Sequence, residues 1–187
     1  KRMADAIAHR GPDGEGFTIE PGIGLAHRRL AVIDLNTGDQ PMTDFDQRTS
    51  TVFNGEIYNY KELRNRLTGS GFHFCTQSDT EAIAAAWRHW GMAAADKLTG
   101  MFAIALWDRK ENTLWLGRDP IGEKPLYYTV TPDKWLVFAS ELSAIVAYLG
   151  RTPSLDMEAV ADYFAYGYVP DPKSIYRAIY KLSLIHI

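Results

Sequence analysis

Nine residues, Val52-Phe53-Asn54-Gly55-Glu56-Ile57-Tyr58-Asn59-Tyr60, constrain this chain more than any other stretch. Thr51, Val52 and Phe53 are β-branched or aromatic and read as a strand that delivers Asn54-Gly55 to its end. Gly55 permits a sharp turn and lets another group approach its N–H. The Asn54 amide adds a second donor aimed into the same space. Two donors on a rigid strand end are what an oxyanion hole requires. Asn-Gly is also the commonest two-residue hairpin turn, so a plain hairpin stands beside the functional reading.

Around this run, short apolar stretches alternate with turn residues. Strands are expected over 16–20, 23–26, 50–53, 72–76, 101–107, 113–116, 126–130 and 135–139. The polar link Asp108-Arg109-Lys110-Glu111-Asn112 and the turn Thr131-Pro132-Asp133-Lys134 fold the last four into two antiparallel hairpins. Residues 101–107 are apolar without alternation, as in a strand covered on both faces. The chain opens inside what reads as a helix over 1–8. Asn59 and Glu62 have capping-box spacing and start a helix over 60–67, with Tyr60, Leu63 and Leu67 on one stripe. Ser78-Asp79-Thr80-Glu81 caps another, which carries Ile83, Trp87 and Trp90 on one face and stops at Gly91. Hairpins with helices lying over them predict a layered α+β domain, its two sheets sandwiched between helices. After Gly150-Arg151-Thr152-Pro153 the texture changes to a capped helix over 154–167 and a Pro-rich segment. The expected division is one domain over 1–152 and the start of a second over 153–187.

Composition narrows the function classes. A hydrophobic fraction of 46% and a charged fraction of 23% are those of a soluble globular protein. A net charge of −3 points to neither nucleic acid nor an anionic membrane as partner. The longest apolar run, 101–107, is strand-sized, and no signal peptide is visible. A single cysteine, Cys75, excludes an internal disulfide framework and a Cys-rich zinc site, so a reducing, cytoplasmic setting is expected. His9, His27, His73, His89 and His186 share no metal-ligand spacing. Gly117-Arg118-Asp119-Pro120-Ile121-Gly122-Glu123-Lys124 fails as a phosphate loop: Glu123 stands where lysine is needed and Pro125 would break the helix.

Three polar clusters sit at strand or helix ends. They are His9-Arg10-Gly11-Pro12-Asp13-Gly14, the cation pair Arg28-Arg29 within an apolar segment, and Ser78-Asp79 at a helix start. An arginine fork matches a carboxylate, and an aspartate matches an ammonium. Arg29 and Asp79 together could grip both charges of a free α-amino acid, with Asn54-Gly55 beside its side-chain carbonyl. Arg28 would point to the opposite face from Arg29. Each residue alone also has a plain reading: a solvated arginine, an N-cap aspartate, a hairpin Asn-Gly.

The sequence then runs in order through HRGPDGEG (9–16), LAHRRLAVID (25–34), FNGEIYNYKELR (53–64), SDTEAI (78–83), GMFAIALWD (100–108), GRDPIGEKPLYY (117–128) and FASELSAI (138–145). On these stretches it resembles the glutaminase half, a class II glutamine amidotransferase, of the glutamine-hydrolysing asparagine synthetases. HRGPDGEG together with the Arg28-Arg29-Leu30 run is similar to the subgroup tied to exopolysaccharide or exosortase gene clusters. The resemblance implies an N-terminal-nucleophile fold of four stacked layers, α-β-β-α. It implies hydrolysis of glutamine to glutamate and ammonia, which the whole enzyme uses for ATP-dependent amidation of aspartate or a related acceptor. The nucleophile it implies is a cysteine at the mature N-terminus, whose own α-amine helps to remove the thiol proton. Carried onto this sequence, it makes Arg29 the partner of the glutamine α-carboxylate and lines the pocket with Leu30, Ala31, Val32 and Ile33. It makes Asn54 and Gly55 the oxyanion hole, Glu56 a pocket residue and Asp79 the partner of the α-ammonium.

One departure matters most. The family's Met-Cys-Gly start does not appear, since the chain begins at Lys1. Cys75, expected mid-strand between Phe74 and Thr76, has no free α-amine and reads as a small buried hydrophobe. The chain is therefore expected to be cut at both ends, to lack its nucleophile and to be inactive by itself. Ser183-Leu184-Ile185-His186-Ile187 fits nothing in the family pattern. ATP and Mg are implied as cofactors of the remaining synthetase domain, and none for this piece. The implied partners are glutamine and that synthetase domain, with a homodimer left open. The alternative is a non-catalytic glutamine-binding or structural domain that lacks the nucleophile outright. A sugar-phosphate or phosphoribosyl aminating enzyme is disfavoured by the Glu56-Ile57-Tyr58-Asn59 continuation.

Overall fold

An antiparallel sheet of four strands forms the centre of the computed structural model, which describes residues 1–30 and 37–183. Its order is β3 (Met42–Thr43), β4 (Thr49–Ile57), β5 (Gly100–Asp108) and β6 (Thr113–Arg118). β5 is apolar without alternation because both of its faces are covered. Phe102, Ile104 and Leu106 join Phe53, Ile57 and Trp115 in one core under α2 (Tyr60–Gly69) and α3 (Asp79–Trp90). Leu63, Leu67, Ile83 and Trp87 are the helices' contribution, the stripes expected from their spacing. Trp87 and Trp115 stack with ring centroids 5.2 Å apart. Trp87 Nε1 also donates to the buried Asp108 carboxylate at 2.9 Å, which receives the Arg48 fork as well. Burial pushes the Asp108 carboxyl up, but Arg48 and Trp87 outweigh it and hold it down to about 2.

The opposite face of the central sheet packs on two smaller ones. These are the hairpin β1 (Gly14–Glu20) and β2 (Ile23–Arg29), and the sheet β8 (Leu136–Ala139), β7 (Tyr127–Val130), β9 (Tyr180–Lys181). Leu25, Ala103, Ala105, Leu116, Leu126 and Leu182 form the core between the layers. A third cluster of Val137, Ile145 and Ile179 is covered by Met3 of α1 (Arg2–Ala6) and by Leu142 and Leu149 of α4 (Leu142–Leu149). Helices, sheet, sheets, helices: the order is α-β-β-α, the α+β architecture expected. Past residue 152, α5 (Met157–Tyr166) is capped by Asp156 and stopped by Gly167 in the left-handed conformation. β9 then returns onto β7, and Arg118 fastens this segment by donating to Asp171 at 3.1 Å and to the Leu182 carbonyl at 2.9 Å.

Five local expectations are corrected. Residues 72–76 form no strand, because the N–H groups of Cys75 and Thr76 donate to the Glu81 carboxylate at 2.7 and 2.8 Å instead of to a neighbouring strand. Cys75 is consequently exposed, not a buried hydrophobe. Glu81, spent on that segment, does not close a capping box; Ser78 Oγ caps α3, accepting from Thr80 N–H at 3.2 Å. Asn59 likewise makes no side-chain cap for α2. Its amide ties the helix start to a distant segment, donating to the Lys97 carbonyl at 2.8 Å and accepting from Thr99 N–H at 3.0 Å. Finally, Asn54-Gly55 is neither a hairpin turn nor a strand end. β4 continues to Ile57, with Asn54 paired to Ala103 and Gly55 to Phe102.

Trp115→Ala removes a fully buried ring together with the surface that Trp87 stacks on. We expect it to lower the unfolding free energy by about 3–5 kcal/mol in urea titration. A loss below about 1 kcal/mol would contradict the placement of this pair at the centre of the core.

Candidate functional site

β4 pairs with β5 along its whole length, but with β3 only at Ser50 and Thr51. Beyond Thr51 its outer edge carries no strand among the described residues. Alternate residues of an antiparallel strand turn their N–H and C=O groups to the same neighbour. Phe102 turns its own toward Asp119: its N–H donates to the carboxylate at 3.2 Å and its carbonyl accepts from Asp119 N–H at 2.8 Å. Gly55, directly opposite Phe102, therefore faces its N–H away from β5, toward the open edge. By the same alternation Phe53 and Ile57 do so too. Phe53 N–H is taken by Gln40 Oε1 at 2.6 Å, and Ile57 N–H by the Asp79 carboxylate at 3.1 Å. Between these filled positions the Gly55 N–H has no partner among the described residues. Only glycine fits there, because φ is +151° and a Cβ would lie 2.0 Å from the Met101 carbonyl oxygen.

Asn54 and Glu56 project to the face opposite Phe53 and Ile57. Asn54 Nδ2 is buried and has no hydrogen-bond partner among the described residues. Buried donors are almost always paired, so an orphaned amide beside an orphaned N–H marks a place shaped for an acceptor from outside.

Asp79, the first residue of α3, is 4% exposed, and among the described residues no lysine or arginine pairs with it. Burial pushes its carboxyl above the usual range; N–H bonds from Ile57, Asp79 itself and Thr80 oppose the rise, and the Glu56 charge adds to it. A buried carboxylate stabilised only by amides is an acceptor for an incoming cation.

The strand β2 brings the cations. Arg28 is a structural residue, bound to Asp5 and Glu15 at 2.8 Å and to the Ala4 carbonyl at 3.1 Å. Arg29 is two residues on from His27 and shares its face. Its mostly buried side chain donates to Asp39 at 2.9 Å, and Asp39 itself is exposed. The His27 ring meets the Phe53 carbonyl, while its Nδ1 is buried without a partner among the described residues. Burial holds this imidazole down to about 4; the Arg29 charge acts in the same direction and the Phe53 carbonyl against it. Gln40 completes the set, with Nε2 donating to Thr80 Oγ1 at 3.3 Å beside Asp79. The loop at 9–14 buttresses β2: Asp13 N–H donates to the Arg29 carbonyl at 3.0 Å, and a Cβ on Gly11 would collide with the Arg28 carbonyl.

Of the residues singled out by sequence, Asn54, Gly55, Glu56 and Asp79 are gathered along one edge of β4, and Arg29 reaches it through His27 and the 39–40 segment. Leu30 is exposed. Ala31, Val32 and Ile33 lie outside the described residues. Gln40 and His27 were not singled out by sequence. The spacing of His27 from Arg29 could have found it; nothing local marks Gln40. A nucleotide does not fit the 117–124 segment, because the Asp119 carboxylate already takes the N–H groups of Gly122, Glu123 and Lys124.

A family model for the glutamine amidotransferase domain matches residues 1–187. Asparagine synthetase [glutamine-hydrolyzing] 1 of Bacillus subtilis is 41% identical over 183 residues, which is 98% of this chain and 29% of that protein. Asparagine synthetase [glutamine-hydrolyzing] 3 of the same organism is 35% identical, over 99% of this chain and 30% of that protein. The chain thus spans less than a third of the length of these two curated relatives. Among solved structures, the glutamine phosphoribosylpyrophosphate amidotransferase of Bacillus subtilis aligns with a TM-score of 0.60 at 21% identity, over 78% of this chain and 39% of that one. At that identity the likeness establishes the fold.

The buried His27 makes stability depend on pH. Its folded value of about 4 lies below the ordinary 6.5, so between those limits the unfolded ring takes up a proton that the folded ring refuses. Stability should fall as pH drops from about 6.5 to about 4, and His27→Gln should flatten that slope. Urea titrations of both proteins across this range check it; parallel slopes would contradict it.

Proposed function

This chain belongs to the glutamine amidotransferase domain family, and from that premise we propose that the open edge of β4 binds free L-glutamine as the ammonia-releasing half of an asparagine synthetase-like enzyme. The observation that carries the reading is a pair of donors, Gly55 N–H and Asn54 Nδ2, unpartnered among the described residues, beside a buried carboxylate that none of their cations neutralises. Asp79 would take the ligand's α-ammonium. Arg29 would take its α-carboxylate, exchanging the exposed Asp39 for a better-placed anion. Glu56 borders the ammonium end. Gly55 and Asn54 would hold the side-chain carbonyl oxygen, and their hold strengthens as that oxygen becomes an anion when a nucleophile adds to the carbon. The C–N bond then breaks to release ammonia, and water frees glutamate from the acyl intermediate.

The nucleophile this reading requires is the family's N-terminal cysteine and not Cys75, which is exposed between α2 and α3 and bound through its backbone to Glu81. Amidation of aspartate or a related acceptor, ATP and Mg as cofactors, and a synthetase domain as partner are all assigned to the length that the relatives have beyond this chain. No helix here is long and apolar enough to cross a membrane among the described residues, and a cytoplasmic setting is part of the proposal.

Calorimetric titration of the chain with L-glutamine tests it. Asp79→Asn and Arg29→Met should each weaken binding at least tenfold, because each leaves one ligand charge unpaired, worth roughly 1.5–3 kcal/mol. Arg28→Met, which loses only contacts to Ala4, Asp5 and Glu15, should change it by less than about twofold. No binding by the unaltered chain, or equal effects at the two arginines, would overturn the assignment.

A further inference from the structure

Three N–H groups face the open edge of β4, and Gln40 determines which of them is free. Its Oε1 accepts from Phe53 N–H at 2.6 Å, so the donor two residues before Gly55 is already filled. Its Nε2 donates to Thr80 Oγ1 at 3.3 Å, beside Asp79 at the start of α3. One side chain thereby fastens the strand that carries Asn54 and Gly55 to the helix end that carries Asp79. An amide suits the position because it accepts at one end and donates at the other. The Gln40 main chain is fixed from behind by β1. A Cβ on Gly16 would lie 2.1 Å from the Gln40 carbonyl oxygen, so only glycine lets the two backbones touch. The preceding residue, Asp39, holds Arg29. Residues 39 and 40 therefore join the three arms of the site: β2 with its arginine, β4 with its donors and α3 with its carboxylate.

Resting on the glutamine reading above, we infer that Gln40 is a positioning residue: by filling Phe53 N–H and anchoring Thr80, it sets the separation between Gly55 N–H and Asp79 and thereby selects ligands with a side-chain amide at glutamine's length. The α-ammonium and α-carboxylate contacts belong to Asp79 and Arg29. The loss of Gln40 therefore acts on recognition of the far end of the ligand. With Phe53 N–H released, a ligand carbonyl would also meet a second backbone donor in the wrong register.

The test compares L-glutamine with L-norleucine, which keeps both α-groups and a side chain of similar length but has no amide. Affinities are measured by calorimetry for the full chain and for Gln40→Met, Gln40→Asn and Gln40→Glu. Gln40→Met and Gln40→Asn should lose about tenfold in glutamine affinity, the effect of one misplaced hydrogen bond, and change norleucine affinity less than twofold. Gln40→Glu retains an acceptor for Phe53 N–H and can accept from the Thr80 hydroxyl, so it should keep the original preference. Gly16→Ala, which displaces Gln40 without altering its chemistry, should reproduce the selective loss. A parallel loss for both ligands, or no loss, overturns the role of Gln40 while leaving the glutamine site standing. An unaltered chain that does not prefer glutamine to norleucine overturns both.

Discussion

The paired bonds between Phe102 and Asp119 fix the direction in which β4 faces. Because β5 turns the polar groups of Phe102 toward Asp119, Gly55 cannot bond across to it and must present its N–H outward. The same aspartate gathers the N–H groups of Gly122, Glu123 and Lys124, so one carboxylate both closes the loop after β6 and sets the parity of the central sheet. Shifting β4 by one residue would exchange the face of every side chain on it. Asn54 and Glu56 would enter the helix-side core, and Phe53 and Ile57 would leave it. The packing of Phe53 and Ile57 under α2 and α3 therefore protects the geometry of the edge.

Around that edge, polar groups are buried at a cost that the chain only partly offsets. Among the described residues Asp79 has amide donors but no cation, His27 is held neutral with one nitrogen unpartnered, and Asn54 Nδ2 bonds nothing. Asp108 shows the opposite case, a buried charge that is thoroughly satisfied. Asp108 receives the Arg48 fork, Trp87 Nε1 and the N–H groups of Lys110 and Glu111. The contrast separates the two kinds of site. The Asp108 charge is met on every side, whereas the edge of β4 gathers an unneutralised carboxylate and unpartnered donors in one place.

The layered architecture was legible because its signals are local. The polar links at 108–112 and 131–134 mark hairpins, the unbroken apolar run at 101–107 marks a strand covered twice, and the apolar stripes of α2 and α3 match the core they enter. What was misread depends on contacts distant in sequence. Phe72 and Phe74 do alternate inward against the helical core, but Glu81 takes the N–H groups of Cys75 and Thr76 that follow them, so alternation appears without a ladder and Cys75 faces solvent. Asn59 has the right spacing for a cap, yet Lys97 and Thr99 claim its amide. Asn54-Gly55 has the hairpin dipeptide, yet β5 pairs straight through it. The charged residues of the site stood out by their chemistry. Gln40 could not, since its significance arises only when the chain returns to the strand edge from a segment with no periodicity.

Amide hydrogen exchange in the chain without ligand tests the central claim most directly. The account predicts that Gly55 N–H exchanges fast while Phe53 and Ile57 on either side are protected by Gln40 and Asp79, and that L-glutamine slows exchange at Gly55 selectively. Protection of Gly55 equal to that of its neighbours before any ligand is added would mean that the edge of β4 is already satisfied, and would contradict it.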